Sequence, residues 1–503
     1  MTGLPLPVRA VAHGTLRRLP GRVLRVDAAA RPEIVDAVTA LAARAFEVTV
    51  TAGGCAPDVV LVDAPVPAPA ALGADPRAGE RRGRSEAYRI RPTSDRLEIA
   101  AGSAEGHFRG LVTLLAACGE ALPGLEVDDH PRYAWRGLSL DVVRRRFPVD
   151  EVCRVIDLLA VHGMNVLHLH LTDTQGWTFA VPGYEALADD DAYTAADLDA
   201  LEAYARARFV TIVPEVDVPG HVPARMARVV PVREGVHPFL AAIDTDDPGV
   251  EALLAAAFGE LAAHFASPHL HLGGDEAFGA SAEGFARTVA AASRIIRARG
   301  RTPIGWQEAG RAGALGPGDL GQLWIAERDR LDPEKLADTV PAEFRALVAQ
   351  AGPLLAESAH DPARLGAAGV GVIVSSSDPL YLDRRPSEPS IDAAQRAAAE
   401  RLGNPGYEPT PSLSVLDWQP ETQPDIAANG LTVAGVEAAL WCETVRDLDD
   451  AATLLLPRLA FVAQKAWGDA DRDGVRAAAA STTAVWERLG FGAFHRSREI
   501  FRP

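Results

Sequence analysis

The sequence predicts an α/β protein, a (β/α)8 barrel preceded by a small α+β N-terminal domain. Three observations predict it. After residue 130, eight short apolar runs alternate with long helical stretches, the rhythm of parallel βα units. Acids and tryptophans recur at the C-terminal ends of those runs, where such barrels carry their chemistry. Before residue 130 strand-like and helical runs are mixed on a smaller scale. The predicted units are residues 1–130 (small domain), 131–480 (barrel) and 481–503 (a C-terminal helical extension).

In the small domain the strands are "VLRV" (23–26), "FEVTV" (46–50), "DVVLVD" (58–63), "AYRIR" (87–91) and "LEIAA" (97–101). "RPEIVDAVTALAARA" and "HFRGLVTLLAACGEAL" read as helices, and residues 64–85 as a Pro/Ala/Arg-rich loop. The barrel runs are "RGLSLD" (136–141), "NVLHLHL" (165–171), "VTIVPEV" (210–216), "LHLGG" (270–274), "TPIGW" (302–306), "GQLWI" (321–325), "GVIVSS" (371–376) and "GVEAALW" (435–441). Between the first two, Val152, Val155, Ile156 and Leu159 make one apolar helical face, and Gly163 suits the position just past the helix end. The long insertions at 326–366 and 383–417 are expected on the active face. A doubly wound open sheet is the alternative; it ranks second because eight units close a barrel and no GxGxxG follows an early strand.

Composition narrows the function. The chain has 503 residues, 48% hydrophobic and 23% charged, with 68 acids against 50 bases for a net charge of −18. Such a field repels phosphate backbones and anionic membranes, so neither nucleic acid nor a membrane is the expected partner. Lysine occurs only at 335 and 465; the Arg and Ala richness reads as codon bias rather than function. Cys55, Cys118, Cys153 and Cys442 are scattered, without metal or disulfide-framework spacing, and are expected as reduced, buried thiols. The first twenty residues lack a signal-peptide apolar core and no run reaches membrane-span length, so a cytoplasmic location is expected unless a leader has been removed. The sequence sets no oligomeric state.

The strand ends carry Asp141, Asp173, Glu215, Asp217, His221, Asp275, Glu276, Trp306, Trp324, Tyr381, Trp441 and Glu443. A single Trp is usually core and a single acid usually a solvated face. Recurrence at strand end after strand end is what those readings explain poorly. Indoles stack on the apolar face of a pyranose while carboxylates and other polar groups take its hydroxyls, so the set points to a sugar. In "HLGGDEAF" (271–278), Gly273 and Gly274 free the backbone so that adjacent acids can share one pocket, and a neighbouring like charge is a means of raising one acid's pKa for proton donation.

The segment 136–177, "PEVDVPGH", "HLGGDE", "YLD" and "GVEAALWCE", in this order, resembles glycoside hydrolase family 20, the β-N-acetylhexosaminidases, over residues 86–468. The resemblance implies a TIM-barrel glycosidase with no cofactor and no metal, acting on an oligosaccharide with a terminal N-acetylhexosamine. Glu276 would be the general acid and then the base. Asp275 would orient the substrate's 2-acetamido group, which replaces a protein nucleophile in this family, and the Tyr381 hydroxyl would hold the acetamido oxygen. Arg136 and Glu443 would grip outer hydroxyls, with Asp383 at the 4- or 6-hydroxyl region. Trp306, Trp324 and Trp441 would wall the acetamido pocket, Trp418 would stack on the next sugar, and Asp173 with His221 would either tune Glu276 or form a buried ion pair holding two strands. Asp141 and His271 would be structural supports. Thr174 and Thr178 stand where the family often has Asp and Arg, which bears on the leaving-group side.

Two other readings compete. The HxH pairs in "HLHL" at 168–171 and 269–272 suit a metal-dependent amidohydrolase, but later strands "GVIVSSSD" and "GVEAALWCE" supply no further His. A non-catalytic glycan binder on a hydrolase scaffold is the other; the presence of Asp275, Glu276 and Tyr381 favours an enzyme.

Overall fold

The computed structural model describes residues 3–29, 31–53, 56–76, 86–233, 235, 241–330 and 345–501. Cys55, Lys335, residues 77–85 of the Pro/Ala/Arg-rich loop and residues 331–344 of the 326–366 insertion lie outside the described residues.

The chain first builds a seven-stranded mixed sheet, in the order Arg9–Arg18, Ala121–Asp129, Tyr88–Pro92, Leu97–Ala101, Val59–Asp63, Val23–Asp27, Thr49–Ala52. Helices Pro32–Ala45 and Ala104–Ala117 belong to this domain. Ser103 caps the second, its side chain accepting from the Gly106 amide. Five of the seven strands overlap the runs read from the sequence, the one predicted at 46–50 lying at Thr49–Ala52 because the preceding helix ends against Phe46; Arg9–Arg18 and Ala121–Asp129 do not appear in that reading. Arg9–Arg18 is an edge strand, largely exposed, so it lacks the alternation that marks a half-buried strand.

The barrel closes with eight parallel strands: Arg136–Asp141, Val166–His170, Thr211–Glu215, His269–His271, Thr302–Trp306, Leu320–Leu323, Gly371–Val374 and Val433–Leu440. All eight overlap predicted runs, the fourth ending at His271 before the two glycines; they are numbered from first to eighth. The predicted helical face between the first two is realised in Val149–Val161, where Val152, Val155, Ile156 and Leu159 are buried and Gly163 follows at φ +68°. The helix Arg472–Arg488 crosses the predicted boundary at 480/481. Its start is set by Asp471, whose carboxylate accepts from the Gly474 amide, and its apolar face (Val475, Ala478, Ala479, Trp486) is continuous across the boundary, so 481–503 is not a separate element.

The barrel interior is layered. An apolar plug of Trp135, Val166, Val213, Ile304, Leu320, Ile373 and Ala434 fills one end. Above it comes a polar layer: His168 bonds Glu437 at 2.9 Å, and Gln322 donates to Glu437 at 2.9 Å and to Ser375 at 2.7 Å. Among the described residues Cys153 and Cys442 are buried and Cys118 is half-buried, none in a disulfide. No helix among them is long and apolar enough to cross a membrane.

Arg136 does not lie where the resemblance placed it. It is the first residue of its strand, so it sits at the end of the barrel opposite the strand-end acids. There its guanidinium is wholly buried, donating to the carbonyls of Gly163 (2.8 Å) and Tyr133 (2.6 Å) and pairing with Glu86 at 2.6 Å. Glu86 also pairs with Arg109 at 3.1 Å, tying the small domain to the barrel. Removing a carboxylate that serves two buried guanidiniums is expected to cost about 3–5 kcal/mol. Glu86→Ala is therefore predicted to lower stability in equilibrium urea denaturation by that amount; a loss under about 1 kcal/mol would contradict this account of the interface.

Candidate active site

The site lies at the C-terminal ends of the strands, and it starts from a backbone constraint. Gly273 (φ +71°) and Gly274 (φ +98°) follow the fourth strand, and a Cβ on Gly273 would stand 1.8 Å from Asp217 Oδ1. That oxygen accepts the Gly274 amide at 2.8 Å. Only glycine fits this turn. Glu276 follows at φ +44°, a left-handed conformation that costs a non-glycine residue about 1 kcal/mol or more. The result breaks strand alternation and turns Asp275 and Glu276 toward the same imidazole: His221 Nε2 lies 3.5 Å from Asp275 Oδ2 and 3.6 Å from Glu276 Oε2.

His221 is the near end of a buried chain of charges. Its Nδ1 lies 3.3 Å from Asp173, which contacts His170 Nε2 at 2.9 Å and the Arg144 guanidinium at 2.7 Å. Burial alone would lower the His221 pKa; Asp173, Asp275 and Asp217 outweigh it and raise the group well above its ordinary value, so it is an imidazolium at neutral pH. Burial likewise works against the Asp173 carboxylate, but His221, Arg144 and His170 hold it well below the usual range. Asp217 behaves oppositely: burial, then the Asp275 charge, push it well above the usual carboxylate range.

An open cavity of about 240 Å3 has Asp275, Glu276, Asp173 and His221 on one side and Trp324, Tyr381 and Trp441 among its walls. The Tyr381 ring lies parallel to Trp324 (5° between planes, centroids 6.1 Å apart) and edge-on to Trp441 at 5.8 Å. Burial raises the Tyr381 hydroxyl well above its ordinary pKa, keeping it a neutral donor. Trp306 is wholly buried, its ring 5.9 Å from Trp441 and its N–H donating to Glu215 at 2.8 Å, so it backs the wall. Glu443 lines the rim. Asp383, two residues after Tyr381, is buried; neither carboxylate oxygen has a side-chain partner, and burial followed by the Glu443 charge pushes its pKa up to about 8. A second, apolar cavity of about 270 Å3 abuts Glu276 and Trp324 between Phe278, Phe285 and Leu354.

The structure thus brings together Asp173, His221, Asp275, Glu276, Trp324, Tyr381, Trp441 and Glu443, with Trp306 and Asp383 directly behind. Arg144, Asn404 and Tyr407 line the cavity without having been singled out in the sequence. Arg144 stands three residues beyond the end of the first strand, bonded to Asp141 at 3.2 Å and lying over Trp441 at 5.7 Å; strand direction, which places Arg136 and Arg144 at opposite barrel ends, is the signal that separates them. Trp418 is displaced. It ends the short helix Ser414–Asp417 and packs half-buried on the core, and its neighbours Gln419 and Glu421 bond Arg132 and Tyr133, just before the first strand, at the Arg136 end. Asp141 is a support as expected, accepting from the amides of Val143 and Arg144 at 2.9 and 3.0 Å and of Cys442 at 3.0 Å.

Among the described residues, two groups offer ligand atoms within 4.8 Å of one another: His168, Glu215 and His271, and Asp217, His221 and Asp275. In the first, Glu215 lies 3.1 Å from His168 Nε2 and 3.0 Å from His271 Nδ1, and that His271 nitrogen accepts the Gly273 amide at 3.0 Å. His269, of the second HLHL run, packs edge-on to Trp135 at 5.4 Å.

The comparisons with known proteins agree with this geometry. The family model "Glycosyl hydrolase family 20, catalytic domain" matches residues 133–288 and 279–470. A β-N-acetylhexosaminidase of Cellulomonas fimi is 34% identical, covering 96% of this chain and 92% of its own. A β-hexosaminidase of Akkermansia muciniphila is 29% identical over 76% of this chain and 79% of its own. Among solved structures, the GH20 β-N-acetylhexosaminidase of Streptomyces coelicolor superposes with a TM-score of 0.77 at 28% identity, covering 99% of this chain and 98% of that one. A mutant Streptomyces plicatus β-hexosaminidase in complex with its product GlcNAc gives 0.76 at 28% identity, covering 99% and 97%. With the barrel, the paired acids and the aromatic walls in place, the chain is a glycoside hydrolase and belongs to glycosyl hydrolase family 20.

Proposed function

We propose that this hydrolase is an exo-acting, retaining β-N-acetylhexosaminidase that removes terminal non-reducing N-acetylglucosamine or N-acetylgalactosamine from chitooligosaccharides or related glycans. Hexosaminidase activity is what the family and the named relatives support. The observation that carries the finer reading is the convergence of Asp275 and Glu276 on one aromatic-walled cavity beside the Tyr381 hydroxyl.

Glu276 gives its proton to the glycosidic oxygen as the C1–O bond breaks. The acetamido oxygen attacks C1 from the opposite face, closing a five-membered ring. An attached nucleophile has an effective molarity of roughly 10^5 M or more, so the protein has only to orient it. The Asp275 carboxylate accepts the amide N–H and balances the charge on the ring, while Tyr381 donates to the acetamido oxygen. Glu276, now ionised, takes a proton from water as that water attacks C1, and the two inversions retain configuration. The fork of Arg144 and the Glu443 and Asp383 carboxylates serve the outer hydroxyls. A cavity of about 240 Å3 suits one sugar ring at a chain end better than a stretch of chain.

Aryl β-glycosides differing only at C2 test this reading. The 2-acetamido substrates should be cleaved and the 2-hydroxy ones should be slower by about 10^3-fold or more, and Asp275→Ala should narrow that gap. Equal rates on both, or an equal loss in the variant, would contradict it. Binding without any hydrolysis would favour a non-catalytic binder.

Asp383 supplies a second test. With a pKa of about 8 it is mostly a neutral acid at pH 7. Sugar hydroxyls donating to it favour the ionised form and lower that pKa, so binding expels a proton. Calorimetry of N-acetylglucosamine binding at pH 7 in buffers of different ionisation enthalpy should show proton release that disappears in Asp383→Asn. No release in the wild type, or the same release in the variant, would remove Asp383 from the sugar site.

A further inference from the structure

We propose that Glu215 is a positioning residue for this reaction: from beneath the pocket it holds the His170 imidazole and the Trp306 indole in place, and through His170 it holds the Asp173–His221 pair that faces Glu276. The proposal rests on the reading of Glu276 as the proton donor.

Glu215 ends the third barrel strand and is completely buried. Its side chain meets four ring nitrogens from four side chains. Oε1 accepts Trp306 Nε1 at 2.8 Å and lies 3.0 Å from His271 Nδ1; Oε2 lies 3.1 Å from His168 Nε2 and 2.5 Å from His170 Nδ1. Two of these are hydrogen bonds, from Trp306 and His170; the other two are close approaches, and His271 Nδ1 itself accepts the Gly273 amide at 3.0 Å. The groups facing it are His168 and His170 from the second strand and His271 from the fourth. Behind these stand Glu437 of the eighth strand, through His168, and Asp173 with Arg144, through His170; Asp217 lies two residues on. His170, His271 and His168 hold the Glu215 carboxyl well below its ordinary range, against a burial effect that would push it up.

Two of the four contacts end on pocket groups. His170 lines the cavity and passes on to Asp173 (2.9 Å), then His221 (3.3 Å), then Glu276 (3.6 Å). Trp306 packs on Trp441, which walls the same cavity. One buried carboxylate therefore sets both the orientation of the imidazoles below the proton donor and the back wall behind the acetamido pocket. A chain of this kind polarises along its length, so a change at one end is felt at the other. A carboxylate that only knitted strands together would need no path to the donor.

The test uses Glu215→Gln, which keeps the shape and removes the charge, and His170→Gln, which cuts the path while leaving Glu215 its other three contacts. For each folded variant, the pH–rate profile is measured on chitobiose, whose leaving group needs protonation, and on an aryl glycoside with an activated leaving group. Both variants should lower kcat on chitobiose by about 10-fold or more, lose less on the aryl glycoside, and move the basic limb of the profile by about half a pH unit or more. Equal losses on the two substrates with an unmoved profile would reduce Glu215 to a structural role and overturn the proposal. If Glu215→Gln does not fold, His170→Gln decides by the same criteria. Glu276→Gln is run alongside: if it spares chitobiose hydrolysis, the assignment of the donor fails, whereas its collapse beside unmoved Glu215 and His170 profiles sinks only the positioning role.

Discussion

The close approach of Asp217 to the Gly273–Gly274 turn is the constraint on which the site depends. A strand that continued its alternation would send adjacent acids to opposite faces. Here the backbone turns left-handed at both glycines, and Asp217 Oδ1 holds the Gly274 amide where any Cβ on Gly273 would collide. Asp275 and Glu276 emerge facing one imidazole. Burial beside Asp275 also pushes the Asp217 carboxyl well above its ordinary range, which weakens the third negative charge beside the pair.

The electrostatics follow from placing acids where water is scarce. Carboxylates at Asp173, Asp275 and Glu215 are buried or nearly so, and each faces cationic or hydrogen-bonding partners: Arg144, His221, His170 and His168. Such clusters contribute little net stability compared with an apolar core of the same volume. Their presence through the middle of a barrel fits the preorganisation that the proposed reaction calls for, with donors and charges already fixed in place before the substrate binds. The apolar plug at the other end supplies the packing that the polar layer forgoes.

Much of this was legible in the residues, and the failures are local. The eight barrel strands stand out because buried parallel strands are near-continuous apolar runs, and the paired acids, Tyr381 and Trp441 stand out because they end or follow such runs. Arg136 was misplaced although the information was present: it opens its strand and Arg144 lies beyond the end, and in a parallel barrel only the latter can reach the site. Tyr407 lies in the 383–417 insertion and Trp418 directly follows it, a stretch with no periodicity to show which way a side chain points; Trp418 packs at the far end and Tyr407 lines the cavity. Glu215 could be placed at a strand end but not as a hub, since its partners come from three other strands that only the closed barrel brings together.

The central claim is that the substrate's own acetamido oxygen, and not a protein side chain, forms the bond to C1. The most direct measurement is a crystal structure with the thiazoline of N-acetylglucosamine, which imitates the cyclised intermediate. The account predicts the five-membered ring between Trp324 and Trp441, its nitrogen toward Asp275 and its sulfur toward the Tyr381 hydroxyl. A ring bound away from these residues, or C1 presented to the Asp275 carboxylate at bonding distance, would contradict it.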